Sequence, residues 1–154
     1  MNQEECKKEE INHAESNAKA HAESIMEYYR AYKALEAAGE GASVYIDGGE
    51  FTDPDSVNDY VVNSVLSVEV RSGWVSAGSC GQMAPEEFRI LLSWGGPACQ
   101  IIGELDNGQV YGTPVIQHQD WGTYWTDYHP DFEDDSEWEE ALKWFVECFY
   151  FEGH

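Results

Sequence analysis

The chain predicts an α+β fold in which a four-stranded antiparallel meander carries a C-terminal helix on one face, with a long N-terminal helix and a short second helix before it. Three observations predict it. Residues 2 to 38 contain neither Gly nor Pro and are dominated by Ala, Glu and Lys, the composition of a long helix. Between Leu66 and Gln119 four segments alternate apolar and polar residues between turn signals, the period of half-buried strands. After Asp135 an apolar stripe returns at helical spacing. The expected organisation is a helix over residues 1–40 and an α+β unit over residues 41–154, forming one compact domain of ordinary size for 154 residues.

In the first helix Ile11, Ala14, Ala18, His21, Ile25, Tyr28, Tyr32 and Leu35 recur at steps of three and four, the seam of a helix packed lengthwise on another. Ala and His are poor knobs. The part up to about His21 is therefore expected to fray or to need a partner chain, such as a second copy forming a homodimer, while Ile25 to Leu35 docks on the body. Glu4 with Lys8 and Glu15 with Lys19 are ordered as favourable i, i+4 pairs. Gly39 and Gly41 stop the helix. Val44 to Ile46 reads as a short strand before the turn Asp47-Gly48-Gly49. Asp53 can cap a second helix that opens on Pro54, buries Val57, Tyr60 and Val61, and ends near Ser64.

The four strands are expected at 66–74, 87–94, 98–105 and 109–119. Leu66, Val68 and Val70 share one face of the first; Phe88, Ile90 and Leu92 share one face of the second. In the third, Cys99, Ile101 and Leu105 oppose Gln100, Ile102 and Glu104. Asp106-Asn107-Gly108 supplies the positive φ values that a tight hairpin needs. Gly112 and Pro114 predict an edge position or a bulge in the fourth strand, because Pro cannot donate to a ladder. From Trp121 the chain reads as a loop rich in aromatics and acids. Ser136 and Glu139 read as the capping box of a last helix with the stripe Trp138, Leu142, Phe145 and Phe149.

Thirty acidic residues against eight basic ones give a net charge of -22, yet 42% of the residues are hydrophobic and 14% aromatic. That is too apolar for a disordered acidic tail. Such a surface repels duplex DNA, RNA and anionic membranes and attracts basic surfaces, which excludes a direct nucleic-acid or membrane binder. Cys6, Cys80, Cys99 and Cys148 are scattered, without metal spacing, as expected in a reducing cytoplasm. No apolar leader follows Met1 and no run is long enough to cross a bilayer.

Catalytic signals are thin. His118 with Asp120 and His129 with Asp131 are the His/carboxylate pairs close in sequence, and each lacks a third matched ligand. Cys80 sits on a Gly-containing loop with no basic neighbour to lower its pKa, which reads as an inert thiol. No metal, cofactor or catalytic residue is expected. The cluster Trp121, Tyr124, Trp125 and Tyr128 either closes the end of the sheet or leaves a ring exposed beside carboxylates as an anchor for a partner.

The segments LSVEVRSGW (66–74), EEFRILLSWGGPACQIIGELD (86–106), QDWGTYWTDY (119–128) and CFYF (148–151) resemble a family of small acidic proteins of phages and mobile elements. The likeness covers roughly residues 53–152 and implies a protein made inside a bacterium, in the host cytoplasm. It carries over no functional residues. Charge and resemblance together give the expected function: an inhibitor of the anti-CRISPR or anti-restriction class that occupies a basic, nucleic-acid-handling host defence protein, a CRISPR effector or a restriction complex, as a DNA mimic. Asp120, Trp125, Asp127, Asp131, Glu133, Asp134, Asp135 and Glu137 are the expected partner-binding residues. The alternative is an antitoxin or immunity-like protein that plugs a basic toxin nuclease. A metal-dependent enzyme built on the two His/Asp pairs ranks behind both.

Overall fold

The computed structural model describes the backbone of residues 3–151 and the side chains of residues 13–151. Its elements are α1 (Gln3–Ala38), β1 (Val44–Ile46), β2 (Gly49–Phe51), α2 (Pro54–Ser64), β3 (Ser67–Ser72), β4 (Pro85–Ser93), β5 (Ala98–Asp106), β6 (Gln109–Gln119), β7 (Thr126–Tyr128) and α3 (Asp135–Glu147). The α+β class is as expected, and the strand count is not. The meander has five strands in the order β3-β4-β5-β6-β7, and β1 with β2 forms a separate hairpin. The added edge, β7, comes from the stretch expected to be loop. It pairs Thr126, Asp127 and Tyr128 with His118, Gln117 and Ile116. Three residues are too few to display a period in sequence, so this strand exists by virtue of its neighbour.

An inward row crosses the sheet where buried Ile90 faces Ile101, Ile101 faces Ile116, and Ile116 faces half-buried Tyr128. The register between β5 and β6 slips beyond this row, because Ile102 faces Val115 but Glu104 faces Tyr111. Gly112, with φ of 72°, takes up the extra length as a bulge. Pro114 falls in the same interruption, and β7 reaches only Ile116 to His118, so the ring displaces no partner on that side. Opposite Phe88 stands Gly103. A Cβ there would lie 2.5 Å from two carbons of the Phe88 ring, which itself packs on Phe151 at a centroid distance of 4.7 Å.

Two helices, rather than the last one alone, cover the apolar face. The main core joins Ala18, Ala22, Ile25, Met26 and Tyr29 of α1 and Trp138, Ala141, Leu142, Phe145 and Val146 of α3 to the inward strand residues. The part of α1 up to about His21 was expected to fray or to need a partner chain, and the side chains of its first residues, up to 12, lie outside the described ones. From residue 13 on, the seam is packed: Ala14, Ala18 and Ala22 are 2%, 0% and 0% exposed. Alanine makes a poor knob in a coiled coil but a good floor, since a side chain of one carbon lets a helix backbone approach a sheet closely. The seam thus follows the straight-helix period through Ala14, Ala18, Ala22, Ile25 and Tyr29, with His21 half-buried at its margin. Burial lowers the pKa of His21, which favours the neutral ring. The side chains of Glu4, Cys6, Lys8 and Ile11 lie outside the described residues. Lys19 reaches forward to Glu23 at 3.9 Å instead of back to Glu15.

A second, smaller core gathers Leu35, Ile46 and Val57 under the β1–β2 hairpin, with Tyr28, Tyr32, Phe51 and Tyr60 around them. Asp53 caps α2 by accepting from the Ser56 N–H at 2.9 Å, as its place before Pro54 foretells. Gly39, at φ 69°, ends α1 and donates its N–H to the Leu35 carbonyl at 3.2 Å. α3 starts one residue before Ser136. Its cap is Asp134, which accepts from the N–H groups of Ser136 and Glu137 at 3.0 and 3.3 Å, so the expected Ser136/Glu139 box is not used. A carboxylate at the positive end of the helix outcompetes a hydroxyl two residues later.

Two substitutions test this packing. Ala18→Leu would strengthen a seam facing a second copy, whereas against the sheet it should overpack and cost about 1–3 kcal/mol by chemical denaturation. Increased stability with dimer formation in sedimentation would refute the arrangement. Gly103→Ala should destabilise by a similar amount through the Phe88 ring, on the order of 1–3 kcal/mol; a melt equal to the parent's would mean that Phe88 has somewhere else to go.

Candidate partner-binding surface

Among the described residues no helix packs on the face of the sheet away from α1 and α3, and its side chains are read from the register. Arg71 faces Glu87, and the two form an ion pair. Glu69 faces Arg89 and accepts from its Nη2 at 2.9 Å. Cross-strand pairs of opposite charge are what a solvated antiparallel face selects. The Arg71 guanidinium hydrogen-bonds Glu87 and holds its carboxyl below the usual carboxylate range. A third row runs Leu91, Gln100, Gln117, Asp127 across four strands. In it Gln100 Nε2 donates to Gln117 Oε1 at 2.8 Å, and Gln117 Nε2 donates to Asp127 Oδ1 at 2.8 Å.

Trp125 answers the question left open by its sequence. It is half-buried and belongs to neither core, and it lines a cleft of about 430 Å³ together with Glu69, Arg71, Glu87, Arg89 and Gln100. Trp125 precedes the edge strand β7, yet it lines this cleft together with residues of β3 at the other edge. The other aromatics of the cluster divide. Tyr128 packs against the main core, while Trp121 and Tyr124 are 79% and 92% exposed. Trp121 lies on the turn between β4 and β5, where a Cβ on Gly96 would meet its indole at 2.0 Å.

The eight expected partner-binding residues are not one patch of idle carboxylates. Asp120 accepts from the Trp121 N–H at 2.8 Å and closes a tight turn with Thr123. Asp127 ends the amide row, Asp134 caps α3, and Glu137 accepts from Arg30 Nε at 2.8 Å and so ties α3 to α1. Asp131, Glu133 and Asp135 are exposed. The residues that sequence reasoning missed are Glu69, Arg71, Glu87, Arg89, Gln100 and Gln117. Their sign alternation was visible in LSVEVRSGW and EEFRILLSW, but pairing it required the register.

Among the described residues no group of three or more His, Cys, Asp or Glu side chains is placed to hold a metal ion. His118 packs edge-on against Tyr128 at 6.2 Å. Cys80 is exposed; burial pushes the Cys99 thiol up to about 12, and burial with the Glu147 charge does the same to Cys148. Among the described residues no helix is long and apolar enough to cross a membrane. Comparison of the chain with protein-family models, with curated proteins and with solved structures gives no match.

Because Asp134 both caps a helix and adds to the acidic surface, its two roles separate by substitution. Asp134→Ala should lower stability by about 1 kcal/mol, whereas Asp134→Asn, an equally good cap, should leave it nearly unchanged. Equal losses in denaturant titrations of the two variants would show that the charge, rather than the cap, holds the helix end.

Proposed function

We propose that this protein is an acidic inhibitor that occupies the nucleic-acid channel of a basic defence protein, of the anti-CRISPR or anti-restriction kind, by presenting carboxylates where phosphates would lie. The observation that carries the reading is how positive charge is disposed. Each of the six Lys and Arg residues whose side chains are described is paired with a carboxylate: Lys19 with Glu23, Arg30 with Glu137, Lys33 with Glu36, Arg71 with Glu87, Arg89 with Glu69 and Lys143 with Glu147. These exposed pairs contribute little to stability. Their effect on the outer field is larger, because a paired cation no longer offers a basic patch to a phosphate chain, while the excess acids of a -22 chain stay on the surface.

A positive channel that exchanges its counterions for such a surface gains the same entropy that it gains from DNA. The mechanism in this reading is occupancy without turnover. The reading includes the expected kinship of four segments with acidic proteins of phages and mobile elements, and with it action in a bacterial cytoplasm.

The test is capture of basic nucleic-acid-handling proteins from a bacterial lysate at low and at physiological salt, followed by affinity measurement with the purified target. The expected result is binding that weakens steeply with salt and displaces DNA from the target. An affinity insensitive to salt would defeat charge mimicry, and a captured toxin nuclease would replace the defence target by the immunity-like alternative.

A further inference from the structure

The amide row on the open face is polarised, and its direction is set at one end. A carboxylate accepts hydrogen bonds and cannot donate them, so Asp127 demands the Nε2 end of Gln117. That turns Gln117 Oε1 toward Gln100 and demands the Nε2 end of Gln100 in turn. The chain of donors finishes with Gln100 Oε1, a buried acceptor with no hydrogen-bond partner. Gln100 is 5% exposed and lies in the lining of the cleft of about 430 Å³. Turning the Gln100 amide over would set its oxygen against Gln117 Oε1, two acceptors face to face, so the unpaired oxygen is a consequence of Asp127 two strands away.

We propose that this cleft is a socket for one arginine side chain of the basic partner, with the guanidinium edge donating to Gln100 Oε1 and its face against the Trp125 indole. The proposal rests on the inhibitor reading for the identity of the guest. A guanidinium suits the cleft better than an ammonium because it is planar, carries donors around its edge and stacks on indole. Glu69 and Glu87 line the same cleft and keep acceptor capacity beyond their bonds to Arg89 and Arg71. The oxygen is shielded from solvent, so the guest enters with an adjustment of the lining. In the proposal that adjustment falls to Trp125, which is half-buried and outside both cores.

The test uses N-acetyl-arginine amide as the probe and follows the side-chain amide signals of Gln100 and Gln117 and the Trp125 indole signal by NMR. The probe should shift all three, N-acetyl-lysine amide should bind more weakly, and Gln100→Met should raise the Kd at least fivefold. The sharper variant is Asp127→Asn. Its amide can donate to Gln117, which lets the whole row reverse and turns Gln100 Nε2 toward the cleft; arginine-probe affinity should then fall at least fivefold. Asp59→Asn, an equal change of charge on exposed α2, should leave it alone. Equal losses in Asp127→Asn and Asp59→Asn, or a probe that shifts neither Gln100 nor Trp125, would overturn the socket. If a basic defence protein binds and Gln100→Met leaves its affinity unchanged, the socket falls and the inhibitor reading stands. If the probe behaves as described and no such protein binds, the reverse holds.

Discussion

The close approach of α1 to the sheet is the constraint on which the rest depends. α1 reaches both cores, since its alanines floor the main core while Leu35 reaches the one under the β1–β2 hairpin, and α2 joins it with Val61 in the first and Val57 in the second. A helix seated on a sheet through Ala14, Ala18 and Ala22 leaves room beside it for α3, and the two helices then meet through Tyr29 and Tyr32 against Trp144 at ring separations of 5.8 and 5.2 Å. Larger residues at the alanine positions would lift α1, and the aromatic contacts with α3 would open with it. The hydrogen bond from the Tyr29 hydroxyl to Glu140 and the Arg30–Glu137 pair lie along that same helix contact.

What the sequence made legible follows from range. Helix stops, the Asp53 cap and the Asn107-Gly108 hairpin are decided by residues within a few positions of one another, and they stand as read. Strands β3 to β6 announced themselves by period; β4, β5 and β6 present one face to the core, while the apolar side of the edge strand β3 stays open, with Val68 and Val70 38% and 42% exposed. β7 did not, because Asp127 and its neighbours are strand residues only in the company of His118, Gln117 and Ile116. The alanines of α1 were seen, but their meaning depended on whether the partner was a helix, which needs large knobs, or a sheet, which tolerates small ones. For the candidate site the limit is the same. Gln100 was read as facing away from Cys99 and Ile101, and the structure agrees, yet its pairing with Gln117 across 17 residues depends on a register that a bulge at Gly112 resets.

A surface this acidic presses on its own fold. Like charges at short range destabilise the compact state, and the chain relieves part of that strain by giving many acids a local structural role. Asp53 and Asp134 cap helices, Asp120 closes a turn, Asp47 accepts from the Tyr60 hydroxyl at 2.5 Å, and Glu137 joins two helices. The Asp47 bond, with burial, pushes the Tyr60 hydroxyl up to about 12. Other acids, exposed Asp131, Glu133 and Asp135 among them, add to the field, and Asp135 also stands in the first turn of α3, where the dipole favours it.

Charge by itself gives speed and reach more than selectivity. A diffuse acidic surface draws many basic proteins, and at physiological salt the attraction fades within about 8 Å. Selectivity has to come from groups that satisfy a correct partner and stay unsatisfied with an incorrect one. An unpaired buried acceptor has that property, because leaving it unmade costs on the order of 1–3 kcal/mol whatever the outer field does. The acidic surface and the Gln100 oxygen therefore divide the work in the proposed reading. The field, spread over many carboxylates, sets how often basic partners arrive, and the donor row ending at Gln100 sets which of them stays.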